Sequence, residues 1–143
     1  MLMIFLKTSI DYAAYSSIIG ILHECVSPRL LKSKAEDGKR NTLKALSRAT
    51  ISRLINSRGT EVLIKSLVDF NPSEKLSKTL LKDVLCILGQ IAKNDQKFVI
   101  EVTSLNAVTM FHALLRIHYK NPRMMLPFVF IFRSFSKNSN YMH

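Results

Sequence analysis

Between residues 75 and 94 the apolar side chains Leu76, Leu80, Leu81, Val84, Leu85, Leu88, Ile91 and Ala92 recur at intervals of three and four. That spacing draws a stripe along one side of a 3.6-residue helix, whereas one face of a strand needs a period of two. Weaker versions run through most of the chain. Over 10–26, Ala14, Ile18, Ile21, Leu22 and Cys25 share a face that ends at Ser27-Pro28. The polar stretch 32–40, with Gly38, reads as a loop. Leu43, Leu46, Ala49, Ile51, Leu54 and Ile55 then predict one helix or two short ones, closed at Arg58-Gly59 with Gly59 as a left-handed cap. Thr60 is placed to cap a helix carrying Val62, Leu63, Ile64, Leu67 and Val68, which Asn71-Pro72 stops, and Ser73-Glu74 opens the strong helix. A short segment (Phe98, Val99, Val102) and a longer one from Asn106 (Val108, Met110, Phe111, Leu114, Leu115) follow. After Asn121-Pro122 comes an apolar run, 124–135. Phe128, Phe130 and Phe132 alternate there as in a strand, but a helix starting at Pro122 or Arg123 tolerates Pro127 near its second turn. We read it as helix.

This order of segments occurs twice. Leu63 aligns with Met110 and Leu67 with Leu114, an offset of 47; Ala92-Lys93-Asn94 aligns with Ser136-Lys137-Asn138, an offset of 44. Offsets of this size match armadillo and HEAT units, two or three helices that bury their apolar faces only by stacking. The expected fold is all-α: an armadillo/HEAT-like right-handed α-solenoid of about two to three repeats. At 143 residues it is one domain.

From about residue 53 to 138 the sequence resembles the armadillo-like N-terminal region of the cytosolic carboxypeptidases, metalloenzymes that remove glutamates from tubulin and other proteins. The matching stretches are Ser57-Arg58-Gly59-Thr60-Glu61-Val62-Leu63 and Gln90-Ile91-Ala92-Lys93-Asn94-Asp95-Gln96-Lys97-Phe98. Asn121-Pro122-Arg123, Leu126-Pro127 and Phe132-Arg133-Ser134-Phe135-Ser136 complete them. The resemblance implies a repeat region, 39–143, without the peptidase domain, preceded by a helix and charged loop, 1–38, of no assignable family. A fragment or shortened form of a longer protein is one expectation that follows.

Zinc peptidase chemistry of that class needs an H-x-x-E pair, a distant histidine and a glutamate base. The histidines do not supply it: His23 precedes Glu24 directly, His112 and His118 have no carboxylate three residues on, and His143 is last. His112 and His118 read as helix-surface or partly buried residues. The serines lack a G-x-S-x-G setting, and the four glycines are too scattered to cradle phosphate. Cys25 and Cys86 sit in apolar company and read as reduced thiols. No catalytic residue, cofactor or metal is expected. The opening run 1–6 has no basic region before it and no clear cleavage site, and polar residues interrupt every long apolar stretch. A soluble, cytoplasmic chain is expected.

Charge is the distinctive feature, with 21 Lys and Arg against 10 Asp and Glu for a net +11. Eight bases and two acids fall within 32–58, a local +6. Arg40, Lys44 and Arg48 recur at four, within roughly 80° of one helix face. Lys75, Lys78 and Lys82 form a second row, and Arg133 with Lys137 a third. The repeat alignment assigns all three rows to the last helix of successive units, lining one concave trough. Such a trough suits an acidic protein segment, tubulin tails among the candidates. Nucleic acid ranks lower, because the phenylalanines of 124–135 read as core and not as stacking platforms. Membrane attachment ranks lower too, since 1–31 has no net charge. Self-association through the apolar run 124–135 is expected if nothing covers it.

Overall fold

A computed structural model describes residues 12–27, 37–68 and 75–137. The described residues form seven α-helices and no strand: α1 (Tyr12–Val26), α2 (Asp37–Asn56), α3 (Gly59–Val68), α4 (Lys75–Asn94), α5 (Phe98–Ser104), α6 (Val108–His118) and α7 (Pro122–Lys137). The run 124–135 is therefore helical throughout. Asp37 to Arg40 belong to a helix and not to the expected loop. The stop at Asn71-Pro72 and the start at Ser73-Glu74 lie outside the described residues, as do 28–36.

Helix α4 is the centre of the molecule. Leu80, Leu81, Val84, Leu85, Ile87, Leu88, Ile91 and Ala92 are all buried. At 100° per residue they cover roughly 160° of arc, well beyond the roughly 100° apolar stripe of an ordinary surface helix. Such a helix needs neighbours on several sides, and α4 has them in α1, α2, α3, α5 and α7, with α7 making the largest contact and α1 the next. Gly89 of α4 lies against Pro127 and Phe130 of α7, and Lys93 one turn later lies over Phe130 and beside Arg133. Positions advance together on the two helices, so α4 and α7 run parallel.

On α1 the structure buries Tyr15, Ile19, Leu22 and Val26, while Ile21 is 58% exposed. Leu22 is buried as expected, while Tyr15, Ile19 and Val26 stand one residue out of step with the expected Ala14, Ile18 and Cys25. Apolar side chains occupy both stripes, and the docking of α1 onto α4 selects the one carrying the larger Tyr15. Tyr15 Oη donates to Ser66 Oγ of α3 at 2.5 Å, and Ser47 Oγ of α2 donates to the carbonyl of Val26 at 2.5 Å, closing the end of α1. Helix α2 contributes little to the core: Ile51 and Leu54 are buried, but Leu46 is 47% exposed.

Two corners have the same backbone signature. Arg58 (φ 61°) and Asn106 (φ 55°) are left-handed, and no glycine is. The expected role of Gly59 as left-handed cap therefore falls to Arg58, whose N–H donates to the Ile55 carbonyl. Gly59 is instead the first residue of α3, where a Cβ would lie 2.8 Å from the Leu54 carbonyl oxygen. Close approach, not φ, requires glycine there. Thr60, expected to cap α3, is buried inside its first turn. At the second corner Ala107 N–H donates to Val102 O and Asn106 N–H to Thr103 O, the paired bonds of a Schellman cap.

Helix α7 opens with Asn121 Oδ1 accepting the Arg123 N–H at 3.1 Å and with Pro122 at the first helical position, where its missing donor costs nothing. Met124, Pro127, Phe128, Ile131 and Phe135 are buried, so most of the apolar run has a cover; Leu126 (60%) and Val129 (52%) remain exposed. Phe111 of α6 meets Phe135 edge-on at 6.3 Å. No single helix among the described residues is long and apolar enough to cross a membrane.

Candidate functional site

A cleft of about 590 Å³ lies where α4 ends beside α7 and is lined by Lys93, Asn94, Asp95, Phe130, Arg133 and Lys137, together with Ala92 and Ser134. Three cations face one carboxylate. Asp95 is partly committed, since its Oδ1 accepts the Lys97 N–H at 3.0 Å and shapes the turn into α5. Phe130 is only partly buried and absent from the core, and the Lys93 ammonium sits 5.3 Å from its ring centroid. An aromatic ring thus stands among the bases, which corrects its assignment to the core. Phe128 and Phe135 are buried as expected.

A second, smaller hollow of about 220 Å³ is lined by Arg48, Ile51, Ser52 and Ile55 of α2 together with Asn94. Asn94 borders both hollows, and its Nδ2 donates to the Gln90 carbonyl at 2.7 Å. Arg48 of the first basic row therefore approaches the same end of α4 as Arg133 and Lys137 of the third.

The middle row stands apart. Lys78 and Lys82 occupy the opposite half of α4, with Lys82 and Lys93 separated by eleven residues, about 16 Å of helix. Lys82 Nζ lies 4.0 Å from Asp83 Oδ1, which also sits 3.9 Å from His23 Nδ1 of α1. Lys75 begins α4, and its side chain lies outside the described residues. Arg40 is half-buried, Lys44 exposed. The expected single trough is thus corrected: α2 packs on α1, α3 and α4, so Arg40, Lys44 and Arg48 do not share the α1–α4–α7 row of helices. The alignment equated a basic face with a position in the repeat, whereas the first row lies on α2, before α3, and the second on α4. Lys93 was missed, yet the same alignment pairs it with Lys137 at the offset of 44.

His118, at the end of α6, is 8% exposed and its Nε2 has no hydrogen-bond partner among the described residues. Burial pushes its pKa below the usual histidine value, and the positive charge of Lys78 pushes the same way. His112 is exposed with its ring 4.8 Å from that of Phe132. Among the described residues no group of three or more His, Cys, Asp or Glu side chains could hold a metal ion.

A protein family described as CCP1-like, N-terminal TPR repeats matches residues 1–141. The chain belongs to this CCP1-like family. The match reaches back through residues 1–38, so α1 falls inside the family's region together with the helices it packs against. It also agrees with the resemblance of 53–138 to the N-terminal region of the cytosolic carboxypeptidases. The match covers the family's N-terminal helical repeats. No curated protein and no solved structure matches the chain.

Proposed function

We propose that the chain is a non-catalytic scaffold of armadillo-type units that binds acidic protein segments at the basic end of α4 and α7. The family's description speaks of TPR repeats, which pair two helices every 34 residues or so. Offsets of 44 and 47 favour the longer, three-helix unit instead. In that reading α2, α3 and α4 make one unit, α5, α6 and α7 the next, and α1 closes a unit before them. The corners at Arg58 and Asn106, 48 residues apart, support this division.

One observation carries the binding reading: Lys93, Arg133 and Lys137 surround a cleft of about 590 Å³ that only Asp95 opposes. Carboxylates on a flexible segment would gain charge-assisted hydrogen bonds there, and the bidentate geometry of Arg133 adds selectivity. Acidic tails of cytoplasmic proteins, tubulin among them, are the candidate partners. In a longer metallocarboxypeptidase, the module would hold such a tail near the peptidase.

Phe130 beside Lys93 favours a second reading, single-stranded nucleic acid stacked on the ring. Fluorescence anisotropy with a labelled glutamate-rich peptide and an oligothymidylate, at two salt concentrations, separates them. The first reading expects peptide binding that charge reversal at Lys93, Arg133 and Lys137 weakens at least about tenfold, with unchanged helical circular dichroism. Oligonucleotide binding with a steep salt slope, uncompeted by the peptide, would replace it with the second.

A further inference from the structure

We infer that the cleft selects a mixed acidic–apolar sequence, an extended segment of the form apolar-x-acidic-x-acidic, and does not simply collect negative charge. This rests on the acidic-partner reading above and narrows it.

Phe130, Arg133 and Lys137 lie along the cleft-facing side of α7. With a rise of 1.5 Å per residue, Arg133 stands about 4.5 Å and Lys137 about 10.5 Å beyond Phe130 along the helix axis. In an extended peptide, every second side chain points the same way at intervals of about 6.6 Å. A segment laid along α7 with an apolar residue at Phe130 therefore brings its next two same-side residues near Arg133 and Lys137, within the reach of their long side chains. Acidic residues at those two positions complete the match. Lys93 meets the segment from the α4 wall.

The lining requires the apolar element as much as the acidic one. Phe130 keeps part of its ring open, and its cation partner Lys93 has N–H groups left for a carboxylate. A purely acidic peptide would leave that surface wet. Beyond Asn94, Arg48 of α2 lines the second hollow together with Ile51 and Ile55, again a base beside apolar side chains. The recognition track thus has two basic–apolar stations joined at Asn94, and a longer acidic–apolar segment occupies both.

The test uses the full chain and three fluorescein-labelled probes measured by anisotropy at 50 and 150 mM NaCl. One is a twelve-residue peptide with Leu or Phe alternating into the acidic pattern, one an all-glutamate peptide of equal net charge, and one an oligothymidylate. The mixed peptide should bind at least about fivefold tighter than the all-glutamate one. Phe130→Ala should remove that preference, weakening the mixed peptide more than the all-glutamate one. Arg48→Glu, on the exposed side of α2 and harmless to the core, should weaken the mixed peptide about threefold or more. Equal affinity for both peptides, with F130A and R48E silent, overturns the sequence preference while the acidic-partner reading stands. Binding of neither peptide overturns both. Circular dichroism of each variant separates lost binding from lost folding, and R48E keeps the test decisive if F130A fails to fold.

Discussion

A β-carbon on Gly89 of α4 would stand 3.3 Å from both the Cα and the carbonyl oxygen of Pro127 on α7. Two backbones thus meet at the molecule's largest helix contact, one without a side chain and the other without an N–H. Pro127 removes the bond that residue 127 would donate to the carbonyl of residue 123, and it does so on the buried face of α7. Close approach here also sets how Lys93 and Arg133 face one another across the cleft one turn later.

Gly89→Val should therefore destabilise the fold by about 1 to 3 kcal/mol, because the wedge meets backbone and not the flexible end of a side chain. Urea denaturation is the measurement. A smaller gap opened at α7 should also weaken acidic-peptide binding at the cleft, whereas Leu126→Gln, at an exposed position of the same helix, should alter neither.

How much of this the sequence discloses depends on which physical signal sets each feature. Helix α4 follows from the spacing of Leu80, Val84, Leu88 and Ile91, and the helical state of 124–135 from a start at Pro122 that tolerates Pro127 near the second turn; both signals are local. The choice of the Tyr15/Ile19/Leu22 stripe over the one through Ile21 does not, because both are apolar and only docking separates them. The basic rows are legible as rows, but which helices stand side by side is decided by long-range packing. Arg48 and Lys137 approach a common end of α4, and Lys78 does not. Phe130 shows the limit most plainly: among four phenylalanines in eight residues, nothing local marks the one that faces the cleft.

At the α2–α3 corner the substitution effects should run opposite to what the glycine suggests. Arg58→Gly removes the cost of a side chain in the left-handed region and should raise stability by up to about 1 kcal/mol. Gly59→Ala places a methyl 2.8 Å from the Leu54 carbonyl oxygen and should lower it by about 1 kcal/mol or more. Thermal melts of the two variants side by side decide this. A stabilising Gly59→Ala would mean that the approach of residue 59 to the Leu54 carbonyl relaxes without cost and that glycine is not required there.

Tyr15→Phe should cost about 0.5 to 1.5 kcal/mol, the usual net worth of one intramolecular hydrogen bond, because it removes the donor to Ser66 and leaves the buried ring in place. The paired variant Ser66→Ala tests the same bond from α3. A double-mutant cycle should give a coupling of the same sign, since Ser66 Oγ also donates to the Leu63 carbonyl and orients its lone pairs toward Tyr15. Additive effects would show that α1 docks through its apolar stripe alone.

Acid should loosen the end of α6. The His118 pKa is held below the ordinary 6.5 by burial first and by Lys78 second, so the folded protein binds that proton less well than the unfolded chain. Stability then rises with pH through this group: its contribution is complete above about 6.5 and is lost progressively as pH falls below that value toward the folded pKa. Melting temperatures at pH 7.5 and 5.5 should therefore differ more for the native chain than for His118→Leu, which keeps the volume and cannot be protonated. Lys78→Gln should also reduce the difference, since it relieves the repulsion that a protonated His118 meets. Parallel pH profiles for all three proteins would mean that the proton reaches His118 without cost, and that its buried Nε2 finds water.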